Sequence, residues 1–267
     1  MIEIGINPVA FTIGSISVRW YGIMVALAIV VIVLWMLREV KRGANISYDT
    51  IFTGALIGIP SGIVISRLLH VVDRWGYYSQ NLGQIVGTSG LTIYGAVLGA
   101  ALGIWVYSKF SHFKFGYVAD LLAPGVILAQ AIGRVGCTIN GCCYGIPTSL
   151  PWGVVYTRPA SFAYSASLAL PEGMGLHPTQ VYELIFCLVV FAVLLKLRGR
   201  FKPDGSIFLI YLSLYSLWRI GIDFLRAGTP FLFGLHQAQV IGIIVLAIAI
   251  PMLILRTRWI RVESRAE

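Results

Sequence analysis

The thirteen residues from Gly133 to Gly145, Gly-Arg-Val-Gly-Cys-Thr-Ile-Asn-Gly-Cys-Cys-Tyr-Gly, hold the densest set of reactive groups in the chain. Glycines let a backbone approach a ligand closely, and backbone N–H groups freed in this way bind phosphate oxygens. Arg134 adds charge, and Asn140 and Gly145 complete the candidate anion-binding positions. Four glycines in so short a run predict a tight, non-helical backbone. A second constellation is Tyr215, Arg219, Asp223 and Arg226, whose first three members are spaced to share one helical face. Two guanidiniums, Arg134 and Arg219, suit a phosphate held by charge-assisted bidentate hydrogen bonds. The competing expectation is that both arginines only pair with Glu183 and Asp223. A third block, Leu-His-Pro-Thr-Gln-Val-Tyr-Glu from Leu176 to Glu183, reads as a helix start. Pro178 lies in its first turn and Thr179 or His177 is the expected cap. His177, Gln180 and Glu183 are its candidate ligand positions.

Cys137, Cys142 and Cys143 leave several readings open. Their spacing lacks the usual Cys-x2–4-Cys pairing of a zinc site, and no second pair or close histidine follows, so no metal is assigned. Nucleophilic catalysis lacks a base adjacent in sequence. Packing of small residues in a tight loop and a disulfide within it both stand. Cys187 is read as a packing residue.

The elements that must position these groups are apolar. Of the 267 residues 58% are hydrophobic and 12% charged, against about 25% charged in soluble domains, and the mean hydropathy is +0.84. That excludes a soluble enzyme and a disordered chain. The fold class expected is an all-α polytopic membrane protein, one membrane-embedded domain over 1–267. Seven apolar segments approach the length that crosses about 30 Å of hydrocarbon: 20–37, 51–72, 91–108, 117–133, 180–195, 207–225 and 238–255. Their flanks carry thirteen Lys and Arg on one side and five on the other, with Arg67 and Arg219 inside spans. The positive-inside rule then places the N-terminus outside and the C-terminus in the cytoplasm. The net charge of +9 is mostly this topology signal, so nucleic acid is not an expected partner.

Residues 1–19 do not read as a secretory signal, because Glu3 replaces a basic start and no cleavage site follows. They lie flat on the outer surface or form a loose tail. The long connection 134–179 carries five prolines among aromatic and apolar residues and reads as a small ordered external cap. With this topology Arg67, His70, Tyr94, Arg134, Tyr182, Glu183, Asp223, Arg226, His236, Gln237, Gln239 and Tyr21 fall toward the outer side. Arg219 lies about 18 Å above the inner end of its helix. A channel or proton pump needs polar lining through both leaflets. This pattern instead describes a one-sided cationic cavity open to the outer leaflet. An alternative use of such a cavity is transport of an anionic lipid or small anion, which calls for an inward route and inverted repeats; neither is visible. A non-catalytic receptor or scaffold is a third use.

Taken together, the Gly133–Gly145 run, the Pro-Trp-Gly-Val-Val-Tyr segment at 151–156, His-Pro-Thr-Gln-Val-Tyr-Glu at 177–183 and the Tyr215/Arg219/Asp223/Arg226 pattern resemble the bacterial phosphatidylglycerol–prolipoprotein diacylglyceryl transferases. Val-Arg-Trp-Tyr-Gly at 18–22 and Gly-Leu-Thr-Ile-Tyr-Gly at 90–95 fit as well, and the likeness runs over essentially the whole chain. It implies transfer of the diacylglyceryl group of phosphatidylglycerol to the lipobox cysteine of preprolipoproteins in the bacterial plasma membrane, without a cofactor. It further implies that Arg134 and Arg219 are the essential arginines, Tyr215 and Tyr21 the tyrosines of spans six and one, and Gly145 the glycine closing the signature. Tyr94 stands where many members have a histidine considered as a base, so a histidine base is not expected here. Cys137 and Cys142 stand where others carry Asn and a carboxylate, and those roles do not carry over.

Overall fold

The computed structural model describes residues 1–14, 16–86 and 93–259, without the side chains of Ile16, Ile93, Tyr94 and Trp259. The helices are α1 (Trp20–Lys41), α2 (Tyr48–Asp73), α3 (Trp75–Tyr78), α4 (Ile93–Phe110), α5 (Phe115–Asn140), α6 (Tyr164–Leu168), α7 (Thr179–Leu197), α8 (Ser206–Ile222) and α9 (Gln237–Arg256). Among the described residues six helices are long and apolar enough to cross a membrane: α1, α2, α5, α7, α8 with the 3₁₀ turn that follows it, and α9. The seventh expected span appears as the shorter apolar helix Gly95–Phe110. A mostly helical polytopic membrane protein is therefore the architecture.

One helix departs furthest from its expected limits. The fourth span reaches Asn140, so the first eight residues of the glycine-rich run are helical. The expectation of a non-helical backbone there is corrected. The reason is packing: Gly136 faces α1, where a Cβ would stand 2.9 Å from Met24 Cβ and 3.3 Å from Tyr21 Cα. Gly125, earlier in α5, meets the ring of Trp35 in the same way, and Trp35 Nε1 donates to Leu121 O at 2.9 Å. Small residues here let two helices approach without a side chain between them. Pro60, Pro124 and Pro251 lie inside helices, a frequency that membrane helices tolerate.

The chain forms two compact units, Met36–Val118 and, together, Met1–Trp35 with Ala119–Glu267. In the first, α2 and α4 pack through glycines. A Cβ at Gly62 would stand 2.9 Å from Ala96 O, and one at Gly99 2.7 Å from Ile65 Cβ. Arg67 of α2 donates from Nε to Ile85 O at 2.9 Å and from Nη2 to Gln84 O. Its guanidinium stacks on Tyr78 with 5.2 Å to the centroid.

In the second unit, α5, α7 and α8 share a core of Ala123, Ile127, Ala131, Cys187, Val190, Leu194, Ile207 and Tyr211. Asp120 closes one end of it by accepting from the backbone N–H groups of Gly205 (2.7 Å) and Phe208 (2.8 Å). Those are orphan donors at the start of α8. Segment 141–178 carries three short strands and the short helix α6. Its strands β4 (Pro147–Thr148), β5 (Val154–Tyr156) and β6 (Gly175–Leu176) form a sheet with the N-terminal β1 (Ile2–Ile4), in the order β1-β5-β6-β4. β1 runs parallel to β5, with Ile2 opposite Val154 and Ile4 opposite Tyr156. Ile2–Ile4 thus form a strand of this sheet rather than a loose tail. β2 (Val9–Ile13) and β3 (Ile16–Arg19) form a hairpin leading into α1, and β7 (Phe201–Lys202) pairs with β8 (Arg258–Trp259).

Candidate active site

One carboxylate organises the site. Glu183, one turn into α7, is fully buried. Its Oε1 lies 2.8 Å from Arg134 Nη2 and accepts from the Tyr215 hydroxyl at 2.7 Å. Its Oε2 lies 3.7 Å from Arg219 Nη1 and 3.5 Å from Arg226 Nη1. Three guanidiniums from α5, α8 and the turn after α8 therefore meet within 4 Å of a single carboxylate. Asp223 braces the far side, 3.0 Å from Arg219 Nη2 and 3.5 Å from Arg226 Nε, with His236 Nδ1 3.8 Å away.

The expected pairing of arginines with Glu183 and Asp223 is thus real, and so is the convergence that a phosphate clamp requires. Two carboxylates against three guanidiniums leave the cluster one positive charge. A buried charge is costly unless paired, so Glu183 and Asp223 make it possible to hold the arginines inside the helix bundle. The side chains of Arg134, Arg219 and Arg226 stay 18%, 12% and 14% exposed. All three side chains are thus mostly enclosed and keep a small exposed fraction.

The geometry of the helices explains the convergence. α5 ends, α7 begins, α8 ends and α9 begins at this place, the order that antiparallel neighbours impose. Past Asn140 the chain turns at Gly141 (φ +69°), where a Cβ would strike Ser161 Oγ. Gly145 is pinned between two elements. Its N–H donates to His177 O at 2.9 Å, and a Cβ would stand 2.5 Å from His177 Cβ and from Leu225 O. Ile146 N–H donates to Leu225 O and Ala227 N–H to Tyr144 O. The closing glycine of the signature thus places Arg226 rather than presenting its own N–H to a ligand.

The remaining candidates divide. Tyr215 belongs to the cluster through Glu183. Tyr21 stands beside it, where α1 crosses Gly136, within electrostatic range of Arg134 and the three cysteines. Asn140 Oδ1 accepts from Arg19 Nη1 at 3.0 Å and stands outside the guanidinium cluster. Gln180 is buried and donates from Nε2 to Cys142 O at 2.8 Å, which makes it a loop clamp. Gln239 accepts from His236 N–H at 2.8 Å and donates to Ile220 O at 3.1 Å, capping α9. Neither His177 nor Thr179 caps α7, because both are engaged elsewhere. Thr179 Oγ1 donates to Cys143 O at 2.6 Å, and His177 Nδ1 lies 3.3 Å from the Tyr182 hydroxyl. Burial pushes the His177 imidazole below its ordinary pKa, so it adds no charge at neutral pH. The side chain of Tyr94 and residues 90–92 of its motif lie outside what the structure describes.

Sequence reasoning missed Arg19 as the partner of Asn140. It also missed the clustering of the cysteines. Cys137, Cys142 and Cys143 are free thiols whose sulfurs lie within 4.8 Å of one another. The signal for that was in the glycines, since the turn at Gly141 and the left-handed Cys143 (φ +64°) fold the chain back over Cys137.

A membrane protein with a buried, net-cationic three-arginine cluster defines a class that handles anionic groups at the bilayer. The family model described as prolipoprotein diacylglyceryl transferase matches residues 8–255. A relative from Dehalococcoides mccartyi (strain ATCC BAA-2266 / KCTC 15142 / 195), named phosphatidylglycerol–prolipoprotein diacylglyceryl transferase, is 52% identical over 258 residues, covering 97% of this chain and 96% of its own. Relatives of the same name from Clostridioides difficile (strain 630) and Acaryochloris marina (strain MBIC 11017) are 37% and 38% identical. They cover 89% of this chain each, and 90% and 86% of their own lengths. The chain belongs to the prolipoprotein diacylglyceryl transferase family.

Proposed function

We propose that this protein transfers the diacylglyceryl group of phosphatidylglycerol to the lipobox cysteine thiol of preprolipoproteins, forming a thioether and releasing glycerol phosphate. It works as a single seven-span domain of the bacterial plasma membrane, N-terminus outside and C-terminus cytoplasmic. The cap at 134–179 is external and the site opens to the outer leaflet. The observation that carries the reading is the gathering of Arg134, Arg219 and Arg226 on Glu183. A phosphodiester headgroup brings one negative charge to a cluster that holds one positive charge in excess.

In the reaction a C–S bond forms at the primary carbon of the glyceryl group. The bond from that carbon to the phosphate oxygen breaks, and the electron pair leaves with glycerol phosphate. Arg134 and Arg219 bind the phosphate and stabilise the charge that develops on it. Their field also favours the attacking thiolate, which at an ordinary pKa of about 8.5 is scarce at neutral pH. Tyr215 orients Glu183, Arg226 completes the cationic wall, and Tyr21 and Tyr94 are the candidates to relay the thiol proton. Asn140, Gly145, His177, Gln180 and Gln239 shape the site.

The test is mass spectrometry of a lipobox peptide incubated with the purified protein and phosphatidylglycerol. A gain of one diacylglyceryl mass, with glycerol phosphate released, is expected. An unmodified peptide from folded protein, with lipid moved between leaflets instead, would overturn the assignment in favour of transport.

A further inference from the structure

The three clustered thiols have no part in the phosphate clamp. Cys137 is buried on the last turn of α5, while Cys142 and Cys143 are half-buried. The loop that brings them together is held at both cysteine carbonyls, by Gln180 Nε2 on Cys142 O and Thr179 Oγ1 on Cys143 O. Three sulfurs bound at about 2.3 Å in a trigonal plane stand about 4 Å apart. The observed spread of no more than 4.8 Å reaches that arrangement by small rotamer shifts.

The donor set decides which ion. No histidine or carboxylate joins the group among the described residues, and Asn140 Oδ1 is engaged by Arg19. Soft thiolates suit Cu(I) and zinc alike, but structural zinc is almost always four-coordinate, so three sulfurs with no fourth ligand among the described residues favour Cu(I). Arg134 Nη1 lies 4.0 Å from Cys137 Sγ, so the sulfurs sit beside a fixed positive charge.

We propose that Cys137, Cys142 and Cys143 form a three-coordinate Cu(I) site against the arginine cluster. Binding exchanges three thiol protons for one Cu(I), leaving a complex of charge −2 with copper unchanged in oxidation state. That charge beside Arg134 competes with the phosphate, so the loaded protein is expected to transfer at least about tenfold more slowly. This second consequence alone rests on the transferase reading.

The experiment is an anaerobic Cu(I) titration of the reduced full-length protein in detergent, competed with bathocuproine disulfonate and followed by copper X-ray absorption. One equivalent bound by three sulfurs is expected. Cys142→Ser and Cys143→Ser should each weaken binding by about 100-fold, and Cys187→Ala should not change it. These two positions carry the test if Cys137→Ser fails to fold. No stoichiometric binding, fewer than three sulfur ligands, unaltered affinity in both serine variants, or zinc displacing copper at equal concentration would each overturn the site. Transfer by the metal-free protein, measured in parallel, separates failure of the copper site from failure of the transferase reading. Copper loading without slower transfer would remove the regulatory consequence.

Discussion

The two halves of the α5–α7–α8 bundle use the same three helices for opposite purposes. Toward one end Ala123, Ile127 and Ala131 of α5 meet Cys187, Val190 and Leu194 of α7 and Ile207 and Tyr211 of α8, all buried. Continue each stripe by one helical turn and the residues become Arg134, Glu183 and Tyr215, then Arg219 and Asp223. The apolar half packs without a charge apart from Asp120 at its far end. The polar half gathers five formal charges within a few ångströms. Helix backbone and spacing are common to both, so the difference lies in side chains alone. The apolar half fixes helix positions closely enough that long arginines reach one carboxylate from three elements. The ionic half pays for desolvation with pairing, and its surplus charge is what an anionic headgroup can use.

The comparison breaks most visibly at Glu183. Glu183→Leu leaves Arg134 without its carboxylate and Arg219 and Arg226 with Asp223 alone, and breaking a buried pair in this way costs about 3–5 kcal/mol. Little folded protein is expected in a detergent melting assay, and no transfer. Ile127→Ala, in the apolar half, costs about 2–5 kcal/mol but should leave turnover per folded molecule unchanged. If Ile127→Ala abolished transfer in folded protein, the two halves would not be separable.

Arg134→Lys and Arg219→Lys keep charge and lose the planar fork. Both are expected to fold, with transfer of the lipobox peptide reduced by about two orders of magnitude or more. Wild-type rates in either variant would show that point charge suffices and remove the bidentate clamp. Tyr215→Phe deletes one hydrogen bond to a charged acceptor, worth about 1.5–3 kcal/mol. It should lower the melting temperature and slow transfer less than either lysine variant; an effect as large as theirs would assign Tyr215 to the chemistry itself.

The smallest effect is expected at His177. Its folded-state pKa lies below the ordinary 6.5 because burial disfavours the imidazolium. As pH falls through 6.5 the unfolded chain takes up a proton that the folded chain resists, so stability is lost on acidification and is full above that pH. The melting temperature of the wild type should fall more between pH 7.5 and 5 than that of His177→Gln. Parallel curves would show that His177 contributes nothing to acid sensitivity.

Much of this was legible in the linear chain. Apolar runs of about 20 residues marked the helices, because hydrocarbon requires an internally hydrogen-bonded backbone and apolar side chains whatever the neighbours are. Arg219 stood out because charge inside such a run is costly, and the signature blocks tied it, with Arg134 and Arg226 at span ends, to a family. The helical course of 133–140 was not legible. Glycine density there reads as a loop, and only the presence of α1 against Gly136 makes the same residues a helix contact. Pairing of Arg134 and Arg219 with Glu183 and Asp223 was an expectation, but Glu183 as the common anchor of three arginines was not legible. Local sequence shows an acidic residue near an α7 start, whereas its three partners come from positions 134, 219 and 226, brought together by helix packing. Gln180 and Gln239 looked like ligands and are clamps, since a side-chain amide serves either purpose and only its neighbours decide. Sequence thus set the helices, the membrane class and the inventory of charges, because those follow from local composition. Tertiary structure decided which charges share a partner and which sulfurs meet, because distances between helices are fixed by packing and not by position along the chain.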